Sequence, residues 1–250
     1  MAKDPQYALS FGTEAAAYDA GRPGYPDDAV EWLLSRAATD DDARPDVVDV
    51  GAGTGKFTAS LVGRSASVTA VEPDELMRAR LAAKLPTVVA VEGTGEQLPL
   101  GEDSADVVTY AQSWHWVDVG AASREAARVL RPGGVLALVW NVRDEEVDWV
   151  RRLTAVIGAS IADEYETSAP PVAEPLRRDA YAEFRWTNEL DRAALHSLVS
   201  SRSSVIALDE PARAELLAAL DELLDTHPDL AGLDRYPLPY LTRVTIARPI

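Results

Sequence analysis

The sequence predicts an α/β fold with a mostly parallel sheet and helices on both faces. Three observations predict it. Short Val-rich apolar runs alternate with amphipathic stretches, the pattern of strands joined by crossover helices. The first run leads into the glycine-rich turn Val47-Val-Asp-Val-Gly-Ala-Gly-Thr-Gly-Lys. A later amphipathic stretch ends at Arg131-Pro-Gly-Gly, which stops a helix and turns the chain into another apolar run.

Strands are expected over 46–50, 67–72, 87–92, 105–110 and 135–140, each a continuous apolar run as strands buried on both faces require. A helix over about 26–37, with Trp32, Leu33 and Leu34 on its apolar side, precedes them. Further helices are expected over 56–64, over 74–84 with Asp74 as N-cap, and over 119–130. Past Trp140 the pattern loosens. A helix fits 146–157, and an irregular stretch carries Ala169-Pro-Pro and Glu174-Pro. Residues 184–190 alternate as a strand, 211–225 are helical, and 241–247 alternate again.

Composition narrows the function. With 24 basic against 41 acidic residues the net charge is −17, which repels phosphate backbones and disfavours nucleic acid as partner. The absence of cysteine excludes disulfides, thiolate metal sites and cysteine nucleophiles. His115, His196 and His227 have no metal-ligand spacing, so no metal site is expected. The N-terminus lacks the apolar stretch of a signal peptide, and no run is long enough to span a bilayer; a cytoplasmic protein without membrane association is expected.

The glycine turn carries the chemistry. Gly51, Gly53 and Gly55 let the backbone turn tightly and approach a ligand, and a helix start behind them offers N–H groups to an anion. Glu72 ends the second strand, where an acid can accept ribose hydroxyls. Asp49 lies within the first strand, where an ionised side chain is costly without a partner. A nicotinamide cofactor is the main rival, but its G-x-G-x-x-G would need a third glycine at Lys56. A P-loop is excluded by spacing.

Five segments, in order, are Val48-Asp-Val-Gly-Ala-Gly-Thr-Gly, Val71-Glu-Pro, Glu92-Gly-Thr-Gly-Glu-Gln-Leu-Pro-Leu, Ser104-Ala-Asp-Val-Val and Leu130-Arg-Pro-Gly-Gly. In these the sequence resembles the class I S-adenosylmethionine-dependent methyltransferases, and most the group holding trans-aconitate-type and other small-molecule enzymes. Phe11, Tyr18 and Gly21-Arg-Pro-Gly-Tyr-Pro extend the likeness toward the N-terminus.

The resemblance implies a Rossmann-like sheet of seven strands, the last antiparallel. It implies one domain over 1–250: a cap or lid over 1–40, a cofactor core over 45–142, a lid or substrate insertion over 143–182, and C-terminal strands and helices from 183. It implies S-adenosyl-L-methionine as cofactor. Asp49, Gly51, Ala52, Gly53 and Gly55 would meet its methionine end, Glu72 and Pro73 its ribose, and Met77, Gly95 and Glu96 its adenine. Thr94 stands where many of the family carry Asp. Ala111 and Gln112 would lie near the sulfonium, with Tyr18 and Arg22 folded over the cofactor.

The expected activity is methyl transfer to a small molecule, O-methylation first, by a monomer or homodimer. An RNA- or protein-directed enzyme and a non-catalytic binding protein stay as alternatives. His115, in Ser113-Trp-His-Trp after the fourth strand, is the candidate general base, with packing between tryptophans as its other reading. His196 and His227 read as structural. Arg143, Arg177, Arg178 and Arg202 read as ion pairs, solvated charges or contacts to an acidic substrate.

Overall fold

The computed structural model describes residues 23–37, 43–158 and 169–250. In chain order they form α1 (Asp27–Leu34), β1 (Asp46–Val50), α2 (Thr58–Leu61), β2 (Ser67–Val71), α3 (Glu75–Lys84), β3 (Val89–Val91) and β4 (Ala105–Ala111). A 3₁₀ turn (Trp114–Trp116), α4 (Val119–Val129), β5 (Leu130–Arg143), α5 (Asp148–Ile157), β6 (Leu176–Leu190), α6 (Arg192–Ser200), α7 (Ser203–Ile206), α8 (Glu210–Thr226) and β7 (Tyr236–Pro249) follow.

The sheet has seven strands in the order β3-β2-β1-β4-β5-β7-β6. β1 pairs in parallel with β2 and β4, β2 with β3, and β4 with β5. β7 runs antiparallel to both β5 and β6. This is the Rossmann-like sheet with an antiparallel last strand.

Strand alternation sorts the core into two layers. Leu136, Leu138 and Trp140 of β5 share a cluster with Tyr110, Trp114 and Ala122, Ala126 and Val129 of α4. Val135, Ala137 and Val139 face the other way, onto Ala29, Val30 and Leu33 of α1 and Phe57 and Leu61 beside α2. Each fully buried Leu or Val contributes about 1.5–3 kcal/mol, and burial on both faces is why these strands read as unbroken apolar runs. A third cluster joins Trp149 and Leu153 of α5, Leu195 of α6, and Leu220 and Leu224 of α8 to Tyr236, Leu238 and Tyr240 of β7.

Helix starts are set by aspartates. Asp74, Asp118, Asp191 and Asp209 each accept the backbone N–H three residues on, a cap contributing about 1 kcal/mol. Among the described residues no helix is long and apolar enough to cross a membrane.

Several bounds differ from the sequence reading. The helix after the glycine turn is only Thr58–Leu61, because residues 53–57 form successive turns. β3 shortens to three residues at the sheet edge. β6 begins at Leu176, so the connection after β5 spans 144–175 and not 143–182. After the buried Leu176 it runs through the exposed Arg177, Arg178 and Asp179, which hides the alternation. α6 contains His196, and α7 lacked a sequence signal.

Candidate active site

Because β1, β2, β3 and β4 run the same way, their C-terminal ends meet along one edge of the sheet. That edge gathers Asp49, Gly51, Ala52, Gly53, Gly55, Glu72, Pro73, Met77, Thr94, Gly95, Glu96, Ala111, Gln112 and His115. Tyr18 and Arg22 lie outside the described residues, as do residues 1–22 and 38–42 of the cap expected over 1–40.

The glycine turn is shaped by close approach. Gly51, Gly53 and Gly55 all have positive φ, at 67°, 58° and 83°. A Cβ on Gly51 would sit 2.6 Å from the Cβ of Ser113, whose hydroxyl donates to Val50 O at 2.7 Å. Gly53 differs: a Cβ there would meet only Met77 Sδ, at 3.9 Å. Gly51 and Ala52 donate their N–H groups to Val71 O, which pins the turn to β2.

Glu72 is 5% exposed and accepts from Gly53 N at 2.7 Å and Asp74 N at 2.9 Å. Burial pushes its pKa up, against those two bonds and the nearby Arg78 guanidinium, with Asp74 adding to the rise. Two of the four lone-pair positions on the carboxylate are thereby used.

Asp49 is buried in β1, and its register partner in β4 is Thr109. Thr109 donates to Oδ1 at 2.9 Å and Thr58 to Oδ2 at 2.6 Å. Desolvation outweighs these bonds, and with the Glu72 charge added it pushes the Asp49 pKa up to about 6. Among the described residues, no cation is ion-paired with Asp49.

The third side of the edge comes from the turn after β3. Thr94 is exposed and bridges to Gln97. A Cβ on Gly95 would sit 2.7 Å from Val117 and 3.0 Å from the Tyr110 ring, so glycine is needed there. Tyr110 donates its hydroxyl to Gly95 O. The Glu96 carboxylate is turned to Asp118 N at 2.8 Å, so its side chain serves the start of α4.

At the end of β4, Gln112 adopts φ 58°, uncommon for a residue with a side chain. It donates N–H to Val139 O and Nε2 to Asn141 O, each at 2.9 Å. His115 follows, 8% exposed, with its ring 4.8 Å from that of Trp116. Trp114 is fully buried and donates to Pro171 O at 2.8 Å, tying the 144–175 connection to this end of the sheet.

The other histidines bind helices together: His196 to Asp221 at 2.9 Å, and His227 to Asp148 at 3.2 Å. Arg177 and Arg178 are exposed. Among the described residues no group of three or more His, Asp or Glu is placed to hold a metal. Thr58, Thr109, Ser113 and Asn141 belong to the site's framework but carried no sequence signal; the β1–β4 register would have exposed Thr109.

The residues fit S-adenosylmethionine. Gly53 brings its backbone close to Met77 and the Glu72 carboxylate with nothing nearer than 3.9 Å to a Cβ, which suits a ribose and adenine laid against the turn, and the buried Asp49 suits a cationic amino-acid end.

Comparison with known proteins agrees. A methyltransferase-domain profile matches residues 48–138. An uncharacterized methyltransferase of Mycobacterium tuberculosis is 45% identical over 96% of this chain and 97% of its own length. An uncharacterized methyltransferase-like protein of Schizosaccharomyces pombe is 31% identical over 93% of each. A solved structure assigned as a type II methyltransferase of Anaeromyxobacter dehalogenans superposes with TM-score 0.69 at 28% identity, over 91% of this chain and 97% of that one. Fold, site and relatives together place the chain in the class I S-adenosylmethionine-dependent methyltransferase family.

Proposed function

We propose that this enzyme methylates a small molecule, on oxygen in the first instance, at the C-terminal edge of β1, β2 and β4. The observation that carries the reading is the pair of buried carboxylates, Asp49 and Glu72, on the sheet edge that bears the glycine turn, with Glu72 bonded to the Gly53 N–H.

When bound, S-adenosylmethionine supplies a methyl group already activated on sulfur. The chain's own task is to hold, orient and keep water out, which contributes up to about 7–11 kcal/mol in favourable systems. Glu72 keeps two lone-pair positions for ribose hydroxyls. Asp49 supplies the counter-charge for the methionyl ammonium, and Met77 covers one face of the adenine. Ala111 and Gln112 border the methyl end. His115 accepts the proton of an alcohol acceptor from its place just past β4. Residues 1–40 and the 144–175 connection are proposed to cover the site, and cytoplasmic residence is proposed with them.

The net charge of −17 supports a small acceptor over RNA, since a strongly acidic chain repels a phosphate backbone. The test is incubation with methyl-labelled cofactor and a host extract separated into small-molecule, RNA and protein fractions. Label in the small-molecule fraction supports the reading. Label confined to RNA or protein, or none despite cofactor binding, refutes it.

A further inference from the structure

We propose that Asn141 is a positioning residue for methyl transfer: it fastens the chain at Gly24 beside Gln112, at the methyl end of the site. This rests on the reading of that edge as the S-adenosylmethionine site. Asn141 is 9% exposed and lies in β5 opposite Thr242 of β7. Its hydrogen bonds form a directed relay. Trp186 Nε1 donates to Thr242 Oγ1 at 2.9 Å, and Thr242 Oγ1 donates to Asn141 Oδ1 at 2.6 Å. Asn141 Nδ2 then donates to Gly24 O at 2.8 Å. The Gly24 carbonyl can only accept, so the amide nitrogen must face it, which leaves Oδ1 to accept from Thr242.

The main chain of Asn141 completes the arrangement, because its carbonyl receives Gln112 Nε2 at 2.9 Å. Gln112 is held in a left-handed conformation (φ 58°), a strained geometry that persists only where its surroundings fix it. The next residue, Ser113, packs against Gly51 and donates to Val50 O. One asparagine thus joins four pieces: the β6–β7 pair, the turn after β4, the glycine turn through Ser113, and residues 23–26 leading into α1. A purely packing role would be served by the apolar residues of its own face, such as Val139 and Val244. A buried primary amide with its donor on a passing main chain instead sets where that chain lies.

Substitution separates the two bonds. Asn141→Asp keeps an acceptor for Thr242 but removes the donor to Gly24. Thr242→Val removes the support for Oδ1 and leaves the Gly24 donor in place. Amide hydrogen exchange at Ala29 and Val30, whose N–H groups donate to Pro26 O in the turn just past Gly24, and calorimetric binding of S-adenosylhomocysteine are measured on the whole chain, with Asn141→Ala as a second variant. Asn141→Asp and Asn141→Ala are expected to speed exchange at both amides at least tenfold and to weaken binding threefold to tenfold. Thr242→Val is expected to do less of each. Unchanged exchange in Asn141→Asp overturns the proposal. Faster exchange with unchanged affinity overturns it too, because the bond is then a structural tie alone. Failure of the cofactor reading shows separately: wild-type protein would not bind S-adenosylhomocysteine, or Glu72→Ala would bind it equally well.

Discussion

The carboxylate of Glu72 accepts the Gly53 N–H at 2.7 Å, so the end of β2 is joined directly to the middle of the glycine turn. The acid that should hold the ribose therefore also sets the shape of the loop beside it. Loop and acid act as one unit, and changes at either are expected to be felt at the other.

Gly51 and Gly53 separate folding from binding. Either, changed to Ala, incurs left-handed strain of about 1–2 kcal/mol. At Gly51 the new Cβ also overlaps Ser113, adding about 1–3 kcal/mol. Urea denaturation should show Gly51→Ala clearly less stable than Gly53→Ala. Gly53→Ala should stay folded but lose affinity for S-adenosylhomocysteine, because its Cβ enters the space beside Met77. Equal stability of the two variants would contradict the close approach of Ser113.

Asp49 makes stability depend on pH. Burial, with the Glu72 charge adding to it and the two threonine bonds opposing it, raises its pKa from 3.8 to about 6. The folded state thus holds the proton more tightly than the unfolded one. Its stability is highest below the unfolded value, falls as pH rises toward about 6, and stays lowered above it. The shift corresponds to about 3 kcal/mol at neutral pH. Asp49→Asn should raise the melting temperature of the ligand-free protein at pH 8, with the gap closing by pH 4. A gap that does not change with pH would mean Asp49 is not the titrating group. Wild-type affinity for S-adenosylhomocysteine should weaken as pH falls through 6, while Asp49→Asn binds weakly at every pH.

His115 is tested by rate. As general base, His115→Ala should lower turnover on the identified alcohol by about 10²–10⁴ with cofactor affinity retained. Retention of activity in His115→Gln would leave the ring a packing role against Trp116.

The legible parts of this molecule are those set by local pattern. β1 falls where its apolar run predicts, Asp74 caps α3, and Glu72 ends the second run. What was hidden depends on strands meeting across the sheet. Thr109 reaches Asp49 from 60 positions away through the β1–β4 register, and no spacing along the chain encodes that. Thr242 meets Asn141 only because β7 inserts antiparallel beside β5. Glu96 carries another such contact: its carboxylate accepts the Asp118 N–H from 22 positions along the chain. The start of β6 was hidden because Arg177, Arg178 and Asp179 are all exposed and interrupt the alternation that runs from Ala180 onward.

Calorimetric titration of wild type and Glu72→Ala with S-adenosylhomocysteine, beside NAD, tests the central claim most directly. A charge-assisted hydrogen bond contributes about 1.5–3 kcal/mol, so Glu72→Ala should bind at least tenfold more weakly, and NAD should give no binding heat. Unchanged affinity in Glu72→Ala, or binding of NAD in place of S-adenosylhomocysteine, would contradict the account.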